Sequence, residues 1–170
     1  MVIENLITPR MDLIPADAEL LQALQDGDES FFRRLGVHTV GDWPPQELAD
    51  ALPSFVARML IEPGIVGWLD WFLVLREARE LVGDCGFKGP PDGEGMVEIG
   101  YYVRGCHRRQ GYATEAVGTL VGWAMGHGAK GVMAETEPGN IASLGVLSRV
   151  GFSAEGKASE EGLVRYRLCA

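Results

Sequence analysis

Arg108 and Arg109, followed by Gln110, Gly111, Tyr112 and Ala113, put full positive charge and a pliable backbone at one point of the chain. The run follows a strand-like stretch, Met96 to Val103, and opens a helical pattern that starts near Ala113. The first N–H groups of a helix lack internal partners, and the helix dipole adds partial positive charge beside them. A glycine there lets backbone approach an anion closely. The chemistry this arrangement suits is the holding of phosphate oxygens. The alternative is an ordinary strand-to-helix turn capped by Thr114, with both arginines solvated. A basic knot in a chain of net charge -9 favours the ligand reading.

Other residues carry chemistry of their own. Glu98 lies on the strand before the basic turn and is a candidate general base, since a partly buried carboxylate can take a proton directly or through water. Its alternative is a solvated strand glutamate. Alternation places Glu98, Gly100 and Tyr102 on one face and Val97, Ile99 and Tyr101 on the other, so one tyrosine at most is expected to face a site. Glu135, on a later strand, is a rival base. Asn140 and Ser143 have the spacing of an N-cap and first helical turn. Cys106-His107 suggests a nucleophile, but no supporting acid accompanies it. His38 reads as surface. Three scattered cysteines, Cys85, Cys106 and Cys169, have no metal-ligand spacing and suggest free thiols in a reducing compartment.

The elements that must position these groups follow from periodicity. Leu6 to Ile14 reads as a strand, and Pro15-Ala16-Asp17 reads as the start of a helix with Leu20, Leu21 and Leu24 at helical spacing up to Gly27. Ser30 to Leu35 suggests a short helix. Glu47 to Ile61 reads as a helix with Leu48, Leu52, Phe55, Met59 and Leu60 on one side, kinked or split at Pro53. Trp68 to Arg76 and Glu80 to Lys88 are strand-like, and Pro90-Pro91-Asp92-Gly93 is turn chemistry closing a hairpin onto Met96 to Val103. The helix after the basic turn carries an apolar face of Ala113, Ala116, Val117, Leu120, Val121, Ala124 and Met125 and ends at His127-Gly128. Gly118, Gly122 and Gly126 recur along it, which suggests close packing on the sheet or, alternatively, contact in a homodimer. Gly131 to Thr136 is a strand, Ile141 to Val150 a helix, and Ser153 to Lys157 with Leu163 to Leu168 a final strand pair. The expected fold is α/β (α+β), with a mixed, mostly antiparallel sheet flanked by helices.

Bulk properties bound the function. A chain of 170 residues, 46% of them hydrophobic and 23% charged, suits one folded domain. No apolar run is long enough to span a membrane, and the N-terminus has no signal-peptide pattern, so a cytoplasmic protein is expected. Net negative charge argues against nucleic-acid binding and suits a cationic partner such as an amine. Asp26, Asp28 and Glu29 can attract such a cation or simply form a solvated face. Phe31, Phe32, Trp43, Phe55 and Trp68 can form an apolar acceptor wall or simply core.

The basic turn and the later helix together resemble the GCN5-related N-acetyltransferase (GNAT) superfamily. Its pattern Gln/Arg-x-x-Gly-x-Gly/Ala is met by Arg108, Gly111 and Ala113, and Asn140 to Ser143 through Leu147 to Phe152 is similar to its later cofactor-binding helix. The Asn-x-x-Ser form and the strand Glu98 to Tyr101 are most like the ribosomal-protein N-terminal acetyltransferase branch. The resemblance spans roughly Glu98 to Phe152. It implies one domain over residues 1–170, with 1–64 on the acceptor side and 65–170 forming the sheet and coenzyme A core. It implies that backbone N–H groups from Arg109, Gln110, Gly111, Tyr112, Ala113 and Thr114 hold the coenzyme A pyrophosphate, with Arg108 or Arg109 reaching phosphate. Tyr101, Tyr102 and Val103 would present backbone to the acetyl carbonyl, and Asn140, Ser143 and Leu147 would border the pantetheine arm. Glu98, Tyr102 and Ser143 are the candidate catalytic residues. Many members have a tyrosine acid where this chain has Leu147, so Ser143, Ser148 or water must protonate the thiolate, or it leaves unassisted. The implied reaction is acetyl transfer from acetyl-CoA, without a metal, to the primary amine of a small molecule. The alternatives are a protein N-terminus as acceptor, or a non-catalytic acyl-CoA-binding protein.

Overall fold

The computed structural model describes residues 3–157 and 160–169. The chain divides into two compact units, Met1–Asp84 and Cys85–Ala170. In the first unit the strands β1 (Leu6–Ile7), β2 (Met11–Pro15), β3 (Asp70–Leu75) and β4 (Glu80–Phe87, which runs on into the second unit) lie side by side in that order. β1 pairs antiparallel with β2 (Leu6 opposite Leu13), and β2 with β3 (Met11 opposite Leu75). The single strand expected over Leu6 to Ile14 is therefore a hairpin. Thr8 turns it: its hydroxyl donates to the Met11 carbonyl (3.0 Å) and accepts from the Met11 N–H (2.9 Å), satisfying backbone groups that a continuous strand would have spent on a neighbour.

Three helices accompany these strands: α1 (Ala18–Gln25), α2 (Ser30–Leu35) and α3 (Gln46–Ile61). Asp17 caps α1 by accepting from the Leu20 N–H at 2.7 Å. Helix α2 ends on Gly36, whose φ of 67° closes the turn in the left-handed region. Helix α3 is not split at Pro53. The proline occupies an exposed position, so its lost hydrogen bond is on the solvent side. Its buried stripe is Leu48, Leu52, Val56 and Met59. Leu60, expected there, is 69% exposed, because one further residue rotates it about 100° from Met59. Phe31 and Phe32, with Phe72 and Trp43, form a core of edge-on ring contacts at 5.0–6.2 Å. These rings are core, while Phe55 and Trp68 are half-buried.

In the second unit the order continues from β4 to β5 (Met96–Val103), β6 (Gly131–Thr136), β8 (Val164–Cys169) and β7 (Ser153–Lys157). β5 and β6 are parallel, joined through α4 (Tyr112–Gly126), as a parallel connection requires. β6–β8 and β7–β8 are antiparallel, with an irregularity between Ala154 and Gly156. Asp92 organises the turn before β5, its Oδ1 accepting from the N–H groups of Glu94 and Met96 at 2.9 Å each. Ala116, Val117, Leu120, Val121 and Ala124 form the buried face of α4 as expected, while Ala113 and Met125, expected there too, are only half-buried. The glycine stripe does not pack on the sheet. Gly118, Gly122 and Gly126 are exposed, and a Cβ on any of them would meet nothing within 4 Å. The three glycines, four apart, lie on the helix side away from that face. Among the described residues no helix is long and apolar enough to cross a membrane.

Candidate functional site

The parallel pairing of β5 with β6 runs from Met96 opposite Gly131 to Glu98 opposite Met133. The rest of β5, from Ile99 to Val103, borders a cleft of about 1450 Å³. That exceeds the ~300–1,000 Å³ usual for a compact small ligand and suits a longer one. Tyr101 and Tyr102 both line it, contrary to the expectation that strand alternation would admit one. The cleft runs along the stretch of β5 that lies past its last pairing with β6. Tyr101 reaches across to the helix α5 (Ile141–Val150), its hydroxyl 2.8 Å from the Ser143 Oγ. The Tyr102 ring lies beneath the Arg108 guanidinium, 5.5 Å from its centroid.

The turn between β5 and α4 forms the next wall. Arg108 donates from Nε to the Val103 carbonyl at 2.9 Å, tying the turn to the strand end. Arg109 and Gly111 both have positive φ, 63° and 85°. Alternation of such residues curls successive N–H groups into a concavity that favours anions. Gly111 is the N-cap of α4 and supplies no side-chain cap. Helices α1 and α5, by contrast, are capped by Asp17 and Asn140. Gly111, Tyr112, Ala113 and Thr114, at the start of α4, all line the cleft.

Helix α5 closes the third side. Asn140 Oδ1 accepts from the Ser143 N–H at 3.1 Å, so the expected cap is present, and both residues line the cleft. Ile141 projects at 75% exposure. Three sequence candidates are not among the lining residues: Glu98, Gln110 and Leu147. Leu147 is 1% exposed and belongs to the core. Gln110 Oε1 sits 3.3 Å from the Tyr112 hydroxyl.

The pattern model for the acetyltransferase (GNAT) domain matches residues 12–153. The chain belongs to the GNAT acetyltransferase family. The N-acetyltransferase YjdG of Bacillus subtilis is 35% identical over 154 residues, covering 90% of this chain and 92% of that protein. A crystal structure of an acetyltransferase from Agrobacterium tumefaciens shares the fold with a TM-score of 0.69 at 22% identity, over 100% of this chain and 96% of that one. The ribosomal L7/L12 α-N-protein acetyltransferase RimL, in complex with coenzyme A, aligns with a TM-score of 0.66 at 19% identity, over 98% of each chain. This protein is therefore an N-acetyltransferase, and the acetyl donor of its family is acetyl-CoA.

The two candidate bases of this acetyltransferase, Glu98 and Glu135, are both ion-paired. Glu98 forms an ion pair with Lys88 and is the last β5 residue paired to β6. Glu135 lines the cleft with a side chain only 3% exposed, and Arg165 grips its Oε1 from Nε (3.0 Å) and Nη2 (2.8 Å). That hydrogen bonding raises the Arg165 pKa, so the guanidinium stays charged. Burial pushes the Tyr101 phenol above its usual value, against the pull of Ser143, so Tyr101 is a neutral hydroxyl at physiological pH. Cys106 is exposed and His107 lines the cleft. Among the described residues no group of three or more His, Cys, Asp or Glu could hold a metal ion.

Arg149 lines the cleft and was missed by sequence reasoning. The signal was available: Ala142, Gly145 and Arg149 fall at helical spacing. A Cβ on Gly145 would lie 3.0 Å from the Arg149 guanidinium, so the glycine makes room for the cation to fold back along the helix.

Proposed function

We propose that this enzyme transfers acetyl from acetyl-CoA directly to the primary amine of a small molecule, within a single acetyltransferase domain that works in the cytoplasm. The observation that carries the reading is the uncapped start of α4 in the cleft, curled by Arg109 and Gly111. In this reading the N–H groups from Arg109 to Thr114 hold the coenzyme A pyrophosphate, with Arg109 and Arg149 adding charge. Asn140, Ser143 and the edge of β5 guide the pantetheine arm toward Tyr102 and Val103. An N–H of that edge stabilises the oxyanion that forms when the amine attacks the thioester.

Proton traffic is assigned to two groups. Glu98 stands where β5 leaves β6, and takes the amine's proton directly or through water. The Tyr101–Ser143 hydroxyl pair meets the leaving thiolate, and Ser143 gives it a proton while taking one from the Tyr101 hydroxyl, which solvent then restores. The combined test is calorimetry of acetyl-CoA binding with an assay against small primary amines. Acetyl-CoA binding with turnover on an amine is expected. Binding without turnover on any amine or peptide N-terminus would overturn the enzyme reading and leave an acyl-CoA-binding protein. The likeness to RimL supports a second acceptor, a protein N-terminus. Turnover on peptides but not on free amines would decide for it.

A further inference from the structure

Glycine weakens the interior of a strand, because it has no side chain to pack and loses more freedom on folding than any other residue. Two strand glycines of the second unit stand in contrast. On β6, a Cβ at Gly131 would lie 2.8 Å from the Met96 sulfur and 2.9 Å from the Leu168 carbonyl, so close packing excludes a side chain there. On β5, a Cβ at Gly100 would meet nothing within 4 Å. Its backbone does not need glycine either, since its φ is not positive. Gly100 is exposed and lines the cleft. The fold would accept a side chain at this position, and what the glycine provides is open space inside the cleft.

The side chains around that space are engaged elsewhere. Strand alternation puts Glu98 and Tyr102 on the face of Gly100, each about 7 Å away along β5. Lys88 holds the Glu98 carboxylate, and the Tyr102 ring lies under the Arg108 guanidinium. The parallel pairing of β5 with β6 ends at Glu98 opposite Met133. Carried two residues further, that register sets Gly100 against Glu135 across the gap. Glu135 lines the cleft, and Arg165 fixes its Oε1 at 2.8 and 3.0 Å. The bare backbone of Gly100 thus has one acid beside it on its own strand and another across the gap, a setting that favours a cation over an anion. Tyr101 points to the other face, where its hydroxyl meets Ser143 of α5. In the reaction proposed above, the thioester carbonyl stands at Tyr102 and Val103, and the base is Glu98. The attacking nitrogen must come between them, and Gly100 is the residue between them on that face.

We infer that Gly100 determines acceptor specificity: its missing side chain leaves room for a substituent on the carbon that bears the attacking amine. The substrate class is a primary amine on a branched carbon. This rests on the amine-acetyltransferase reading above, and it is tested with two matched pairs of acceptors. Benzylamine and triglycine are unbranched at the amine carbon; 1-phenylethylamine and trialanine each carry a methyl group there. The wild type is expected to acetylate the branched member of at least one pair with at least about a tenth of the efficiency shown for the unbranched member. Gly100→Ala should lower kcat/KM for that branched member by about tenfold and for its unbranched partner by less than about threefold, because one methyl group too many is what the pocket then has to refuse. Gly100→Val should extend the loss to both members. Calorimetry should give both variants the wild-type affinity for acetyl-CoA, and neither should melt below the wild type. Wild-type discrimination retained in Gly100→Ala and Gly100→Val would overturn the inference and leave the acetyltransferase reading intact. So would a parallel loss of acetyl-CoA affinity, which gives the space to the donor, or a lowered melting temperature, which gives the glycine to the fold. Acetyl-CoA binding by the wild type without turnover of any of the four acceptors would overturn the amine reading, and the inference with it.

Discussion

The nest at the start of α4 and the acid pair on β3 and β4 both gather groups of like polarity, yet by different means. The nest is built from backbone N–H groups and the positive φ of Arg109 and Gly111. Its charges are partial and open onto a cleft, so assembling them costs little, and none titrates. Asp70 and Asp84 are carboxyls held towards their protonated form by burial, each with one oxygen that has no hydrogen-bond partner among the described residues. The first device carries no titrating group and keeps its polarity at every pH. The second is poised, and its energy depends on protons. The ion-paired Glu98 and Glu135 of the second unit stand between these extremes.

The comparison is broken most severely at Glu98. If this paired carboxylate is the base, Glu98→Gln should lower kcat by about 100-fold or more with little change in the KM for acetyl-CoA. An unchanged kcat would move the proton to Glu135 or solvent. The nest is tested next by Gly111→Val. A β-branched residue in the left-handed region is strained by ~1–3 kcal/mol and its methyl groups crowd the N–H concavity. Acetyl-CoA affinity should fall roughly 30-fold, equally at pH 6 and pH 8. A pH-dependent loss, or none, would show that the arginines and not the backbone hold the anion.

The nest was legible in the sequence because its parts are local. The strand from Met96, the arginines and Gly111 lie within residues 96–111 of the chain, and a helix start needs no tertiary knowledge. The same holds for Asn140 capping α5 and for the ends of β6, α5 and β7. The acid pair was not legible. Asp70 sits in a strand-length apolar run and Asp84 among β-formers, 14 residues apart in the chain, and only the packing of β3 and β4 gives them one environment. The Thr8 hairpin and the exposed glycines of α4 escaped for a related reason. Periodicity says which residues can share a face, and it does not say whether that face meets a neighbour. The Tyr101–Ser143 contact joins residues 42 apart and follows from no spacing.

A smaller effect follows for Asp70→Asn in stability. The folded-state pKa of Asp70 is raised from 3.8 to about 7 by burial. Between these values the folded chain holds a proton that the unfolded chain has released, so wild-type stability falls as pH rises from about 4 to about 7 and the loss is complete above that. Asparagine has no proton to lose. The variant should match or trail wild type near pH 4.5 and exceed it by about 2 kcal/mol near pH 8, read from urea midpoints at both pH values. Parallel pH profiles for the two proteins would mean that Asp70 is satisfied in solution and that the contrast with the nest is overstated.

The smallest effect supplies the reference for that measurement. Gly122 is exposed on α4, and a Cβ there meets nothing within 4 Å. Gly122→Ala removes backbone freedom from the unfolded chain and adds no charge, so it should stabilise by ~0.5–1 kcal/mol. The gain should be the same at pH 4.5 and pH 8, with unchanged constants for acetyl-CoA and amine, because neither the nest nor the acids are touched. Sedimentation of the wild type and variant addresses the alternative use of the stripe. Were Gly118, Gly122 and Gly126 pressed against a second copy, the added methyl would loosen a dimer and lower stability at dilute concentration. A pH-independent gain with no change in mass fixes the stripe as solvent-facing. The pH-dependent part of the Asp70→Asn result can then be ascribed to the buried carboxyl and not to a general shift in the unfolded state.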